Sequence, residues 1–98
     1  VVQMKYIVFW EYDPKDLDKT IEKLKAFRAK INKNPDKYAK SISPNYTMGI
    51  GFNGFQLFEA DNPEQLARMV LHYRPEVTFE IVHITETKTM LNLYEKLE

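Results

Sequence analysis

Ninety-eight residues, 44% of them hydrophobic, suffice for one domain whose single core leaves roughly a third or more of the extended-chain surface in water. The absence of cysteine excludes disulfides, thiolate catalysis and zinc sites of the Cys type, and it agrees with a reducing, cytoplasmic setting. Fourteen basic residues balance fourteen acidic ones, which argues against a dedicated nucleic-acid binder, and no run is long and apolar enough to span a bilayer.

Val1-Val2-Gln3 are too short for a signal peptide and read as residues added ahead of a natural start at Met4, so one domain is expected over residues 4–98. Lys5 to Tyr12, KYIVFWEY, alternates β-branched and aromatic types and predicts a strand. Tyr6, Val8, Trp10 and Tyr12 share one face; Lys5, Ile7, Phe9 and Glu11 share the other. Bulk on both faces predicts a central strand covered twice. Asp13-Pro14 then starts a helix, with Asp13 as cap and Pro14 at the first position. Leu17, Ile21, Leu24, Phe27 and Ile31 recur at helical spacing, and Asn34-Pro35 stops the run near Lys33. Nine basic residues against five acidic ones fall between Asp13 and Lys40, which reads as a solvated, lysine-rich helix face. Asp36 to Asn45 shows no sustained period and is expected to be a loop with a short helical turn at its start.

Gly49-Ile50-Gly51-Phe52-Asn53-Gly54 spells G-x-G-x-x-G and holds every glycine in the chain. A dinucleotide site with this pattern must open a helix, because the helix N-terminus supplies the amides that hold the phosphates. Here Phe55-Gln56-Leu57-Phe58-Glu59 follows, which reads as a strand. Asn53-Gly54 between apolar runs instead predicts a two-residue hairpin turn joining strands at Tyr46–Phe52 and Phe55–Ala60. That pairing sets Phe52 opposite Phe55 and places Gly49 and Gly51 beside Gln56 and Phe58. The glycines would leave a recess for Trp10, for Phe58 or for a ligand. Asn62-Pro63, with Gln65 placed for a capping box, opens a second helix striped by Leu66, Met69, Val70 and Tyr73, which ends at Arg74-Pro75. Val77 to Glu86 predicts a last strand, with Val77, Phe79, Ile81 and His83 on one face. Met90, Leu93, Tyr94 and Leu97 predict a closing helix.

The order β-α-β-β-α-β predicts an α+β, ferredoxin-like fold: a four-stranded antiparallel sheet with two helices on one face. The uncovered face would be apolar, and self-association is the economical way to bury it. Tyr6-Ile7-Val8-Phe9-Trp10-Glu11, Lys33-Asn34-Pro35-Asp36-Lys37-Tyr38, Gly54-Phe55 and Tyr73-Arg74-Pro75-Glu76-Val77 carry a resemblance over nearly the whole chain. It resembles the dimeric α/β-barrel superfamily and, within it, a small prokaryotic domain-of-unknown-function family. The resemblance implies two sheets packed face to face around a cavity. It also implies cofactor-free oxygenase- or isomerase-type chemistry as an option, because relatives work on small apolar or aromatic molecules in that space.

If the Tyr6 face lines the cavity, the ligand-binding candidates are Tyr6, Trp10, Gly49, Gly51, Gln56, Phe58, Phe79, Ile81 and His83. His83 is the candidate base, as a titratable group on an otherwise apolar strand face; a hydrogen-bonded, part-buried histidine is the plainer account. His72, in the last turn of the second helix, is explained by the helix dipole. Nothing brings the two histidines together, so neither a metal nor a haem or other cofactor is expected. Glu11 and Glu80 fall on one face with Lys5, where ordinary charge pairing accounts for them. Two other classes compete with ligand binding. A homodimeric scaffold would fill its cavity with Trp10, Phe58 and Phe79. An RNA-recognition-like module would use Asn53-Gly54-Phe55-Gln56-Leu57-Phe58, but that stretch lacks the basic residue and the second aromatic it needs.

Overall fold

The computed structural model describes residues 3–97. It is a mixed α+β structure in which three helices accompany a five-stranded antiparallel sheet. The strands are β1 (Met4–Tyr12), β2 (Lys40–Ser41), β3 (Tyr46–Met48), β4 (Asn53–Ala60) and β5 (Val77–Ile84). The helices are α1 (Leu17–Lys33), α2 (Pro63–Tyr73) and α3 (Thr87–Lys96).

β1 is central, as its two bulky faces predict, but helices of the core cover only one of those faces. It pairs with β4 on one side, Val8 opposite Gln56, and with β5 on the other, Val8 opposite Ile81. β2 and β3 both pair with β4 and form an interrupted outer strand. The interruption falls at Ser43-Pro44, where proline has no amide to donate. Ser43 Oγ takes over, accepting from the Leu57 amide at 2.9 Å while donating to the Pro44 carbonyl at 2.9 Å.

The helix starts follow the local chemistry. Asp13 Oδ1 accepts from the Lys15 amide at 3.0 Å, although Pro14–Asp16 forms a 3-10 turn before α1 proper. Asn62 Oδ1 accepts from the Gln65 amide at 3.2 Å. Gln65 reaches back one residue further than a capping box, its Oε1 accepting from the Asp61 amide at 2.7 Å. Its Nε2 donates to the Asp36 carbonyl at 2.9 Å, so a buried amide is satisfied on both ends. The expected loop after α1 contains a 3-10 turn at Pro35–Lys37 and then β2.

The hairpin differs from the expected one. Asn53 and Gly54 lie within β4, Tyr46 stands opposite Phe55, and the reversal occupies residues 49–52. Positive φ decides this: Gly49 has φ 62° and Gly51 φ 120°, whereas Asn53 does not enter the left-handed region that a two-residue turn requires of it. Gly49 and Gly51 are thus turn residues and are not paired beside Gln56 and Phe58. Gly54 is the glycine of close approach. A Cβ there would sit 2.0 Å from the Tyr46 carbonyl oxygen and 2.3 Å from Trp10 Cζ2.

The core lies between the helices and the face of β1 that carries Val8. Val8, Phe58, Ala60 and Val77 from the sheet meet Phe27 of α1 and Leu66, Met69 and Tyr73 of α2. The opposite face, with Ile7, Phe9, Phe55, Leu57 and Val82, has no helix of the core against it. α3 lies apart, with none of its residues buried.

Candidate functional site

α1 joins α2 through a cluster centred on Phe27. Its ring lies 5.2 Å from that of Tyr38, 5.0 Å from His72 and 5.4 Å from Tyr73. His72 locks the two helices: Nε2 is 2.7 Å from the Lys23 carbonyl and Nδ1 is 3.0 Å from Lys30 Nζ. An ammonium only donates, so Nδ1 accepts and Nε2–H donates. This cross-helix role adds to the dipole account. Lys23 Nζ donates to the Arg74 carbonyl at 2.6 Å and pairs with Glu76, tying α1 to the end of α2. That hydrogen bond to Lys23 holds the Glu76 carboxyl below its ordinary pKa.

Phe27 is the one residue of α1 that is buried. Leu17 and Ile21 of the same stripe stay 38% and 41% exposed, because α1 roofs a cavity of about 830 Å³ instead of resting on the sheet. The roof is Thr20, Ile21, Leu24, Arg28 and Ile31; the floor is Val8, Trp10, Gln56, Phe58 and Phe79; Tyr73 and Met69 of α2 contribute one wall.

The strand interruption supplies polar groups to this space. Trp10 Nε1 donates to Asn45 Oδ1 at 2.8 Å, and its ring stacks on Tyr12 with centroids 5.9 Å apart. Gln56 Nε2 donates to Ser41 Oγ at 2.6 Å. Among the buried side-chain polar atoms of the described residues, the Thr20 hydroxyl has no hydrogen-bond partner. Thr20 Oγ1 is closed off within the wall. The Tyr73 phenol is pushed up to about 12 by burial, with the Arg28 guanidinium pulling the other way.

The sequence candidates were expected around a space between two sheets; Trp10, Gly51, Gln56, Phe58 and Phe79 instead line this space between the sheet and its own helices. Tyr6, Gly49, Ile81 and His83 do not. His83 is exposed on β5, its ring 5.4 Å from that of Tyr6. Glu11 and Glu80 share a shallow recess of about 350 Å³ on the open face with Phe9 and Met48. Lys5 pairs with neither of them but with Glu86, at 2.8 Å. Among the described residues no three His, Asp or Glu side chains come together as a metal-ligand set. No described helix is long and apolar enough to cross a membrane. Arg28, Asn45, Thr20 and Tyr73 were not legible as site residues, because only the stand-off of α1 brings them around one space.

A mixed α+β sheet domain with one large, mainly apolar cavity under a helix is the class these features define. Residues 4–98 match the model of the DUF3303 family, a domain of unknown function, and the chain belongs to that family. No curated protein and no solved structure matches it.

Proposed function

We propose that the protein is a ferredoxin-like domain that pairs with a second copy as a dimeric α/β barrel. Each protomer then binds a small, largely apolar molecule with an aromatic portion beneath α1. The half-exposed stripe of α1 over the cavity carries this reading. The space of about 830 Å³ is partly open to solvent, and its walls are mainly apolar. A small apolar molecule that displaced solvent from those walls would gain the free energy of burying apolar surface. The volume also falls within the usual range for small-molecule sites.

The Tyr73 phenol and the Arg28 guanidinium give the ligand a polar end. A carboxylate or phenolate oxygen would accept from both, while Trp10, Phe58 and Phe79 cover its rings. Asp36, Glu59 and Asp61 line the space as well as Arg28 and Lys40, His83 is outside it, and binding is the activity proposed. The strand order supports the ferredoxin-like assignment, with β5 beside β1, β1 beside β4 and the split strand outermost. Lack of cysteine supports a cytoplasmic location. The open sheet face carries Glu11, Glu59 and Glu80 against Lys5 and Lys40, with no cationic excess to attract a polyanion, which favours a protein partner over RNA.

Trp10 is the single tryptophan and lies in the cavity floor, so it reports binding directly. Titration with naphthol and with naphthoate is expected to change its emission saturably, with one site per protomer and naphthoate the tighter binder. Amide shifts in NMR should map to Leu24, Gln56 and Tyr73. If neither probe saturates and a native mass spectrum shows no retained small molecule, the binding reading is wrong.

A further inference from the structure

The two helices beside the cavity are held very differently. α2 buries Gln65, Leu66, Met69 and Tyr73 among its 11 residues, whereas α1 buries Phe27 alone among its 17. Elements with so few buried contacts are the ones that move when a site opens and closes. The ties of α1 also lie along one side. Lys23 Nζ reaches the Arg74 carbonyl and Glu76, His72 Nε2–H donates to the Lys23 carbonyl, and Lys30 Nζ donates to His72 Nδ1. Each partner belongs to α2 or to the short turn that leads from it into β5. Among the described residues no hydrogen bond joins α1 to β2, β3 or β4 across the cavity.

Helical geometry separates the held edge from the free one. At about 100° per residue, Lys23, Phe27 and Lys30 fall within about 60° of one another, and Arg28 and Ile21 lie about 140–160° round from Lys23. Short joints connect the helix at both ends: the 3-10 turn Pro14–Asp16 precedes it, and Asn34 leaves helical geometry at φ −140° and ψ 70° before a second 3-10 turn, Pro35–Lys37. Hinges are made of such element-terminal residues. Arg28 lines the cavity yet remains exposed, and of the α1 residues around that space it alone is charged. The lining carboxylates belong to other elements. Gln65 bonds the backbones of Asp36 and Asp61, which puts both at the start of α2, and Glu59 stands opposite Lys40. An anion is repelled from that end and left to Arg28.

We propose that α1 is a lid hinged along its seam with α2, which an anionic ligand draws down towards the sheet through Arg28. This rests on the ligand-binding reading above and adds how the site closes. A swing about the seam carries Ile21 and Arg28 towards β4 and the outer strands and leaves Phe27 and His72 in place. It takes the guanidinium out of water onto the ligand's oxygen, where a charge-assisted pair is strong. A neutral ligand of the same shape has no such preference for the closed state and cannot populate it.

Because the chain has no cysteine, pairs of introduced thiols place spin labels uniquely. Lys25→Cys with Asn53→Cys spans α1 and β4, and Ala26→Cys with Ala67→Cys spans the seam; all four positions are exposed and none lines the cavity. Saturating naphthoate, with saturation read from Trp10 emission, should shorten the first distance by about 4 Å, one carbon–carbon contact, and leave the second within about 1 Å. Naphthol, uncharged at neutral pH, should shorten neither. Arg28→Gln should abolish the shortening and weaken naphthoate about tenfold. Saturable binding with an unchanged first distance overturns the lid and leaves the binding site standing. So does a shortening that survives Arg28→Gln, one that naphthol produces equally, or one shared by both distances. No saturation with either probe overturns the lid and the site together.

Discussion

Gly54→Ala tests the architecture of the cavity floor at its tightest point. The added methyl would lie 2.0 Å from the Tyr46 carbonyl oxygen and 2.3 and 2.7 Å from two indole carbons of Trp10. Real carbons do not approach so closely, so β3 must part from β4 and Trp10 must leave its place. Overpacking of this kind costs about 1–3 kcal/mol. Displacing the indole adds about 1 kcal/mol for its stacking on Tyr12 and about 1 kcal/mol for its bond to Asn45. The expected total is about 3–5 kcal/mol, or a fall in Tm of at least about 12 °C for a domain this small. Urea unfolding followed by circular dichroism gives the loss, and Trp10 emission should shift to the red in the folded state. Placing Gly54→Ala in a Trp10→Ala background should relieve only part of the cost, because the contact with the Tyr46 carbonyl remains. A loss below about 0.5 kcal/mol with unchanged emission would refute the reasoning, since surface-like tolerance is incompatible with a contact at that distance.

Three further outcomes follow from the same geometry. Tyr73 has its folded pKa raised from 10.0 to about 12, so its contribution is complete below the unfolded value and is lost as pH rises from 10 towards 12; Tyr73→Phe should remove that part of the alkaline slope in stability. Glu76 has its folded pKa lowered by Lys23, so its contribution is present above the ordinary carboxylate value and vanishes as pH falls through the folded one; Glu76→Gln should flatten the acid limb and leave the neutral-to-acid difference smaller than in the wild type. Ser43→Ala leaves the Leu57 amide without its acceptor, and should cost about 1 kcal/mol while speeding hydrogen exchange at Leu57 selectively.

Much of the fold was legible because local chemistry and packing agree. The Asp13 and Asn62 caps, the stripes of α1 and α2, the alternation of β1 and the final strand and helix all occur where the sequence places them. The hairpin was misread because Asn53-Gly54 has the composition of a tight turn, while Gly49 and Gly51 actually hold the positive φ. The feature that settles Gly54, an indole lying against it from a strand more than forty residues earlier, is a tertiary contact that no local pattern encodes. The site was half legible for a related reason. Alternation groups Trp10, Gln56, Phe58 and Phe79 on one face, but it cannot say that this face turns towards the helices. Nor does a helical stripe reveal that α1 is held off the sheet. Tyr73 and Arg28 therefore emerge only when the helices are placed.

The break at Ser43-Pro44 also bears on how the chain avoids its own kind. A sheet edge of bare amides and carbonyls invites strand addition by any unfolded neighbour, and long flat edges are where such growth begins. Here the outer strand is cut into pieces of two and three residues. A proline without a donor and a serine hydroxyl turned inward onto Leu57 separate them. The longest template on that side is thus shorter than the roughly six or seven residues from which cross-β stacking usually starts. Continuous strand at Ser43-Pro44 would lengthen the sheet and with it the hazard of open-ended growth, so the same interruption that lends Ser41 and Asn45 to the cavity also keeps the edge from serving as a seed.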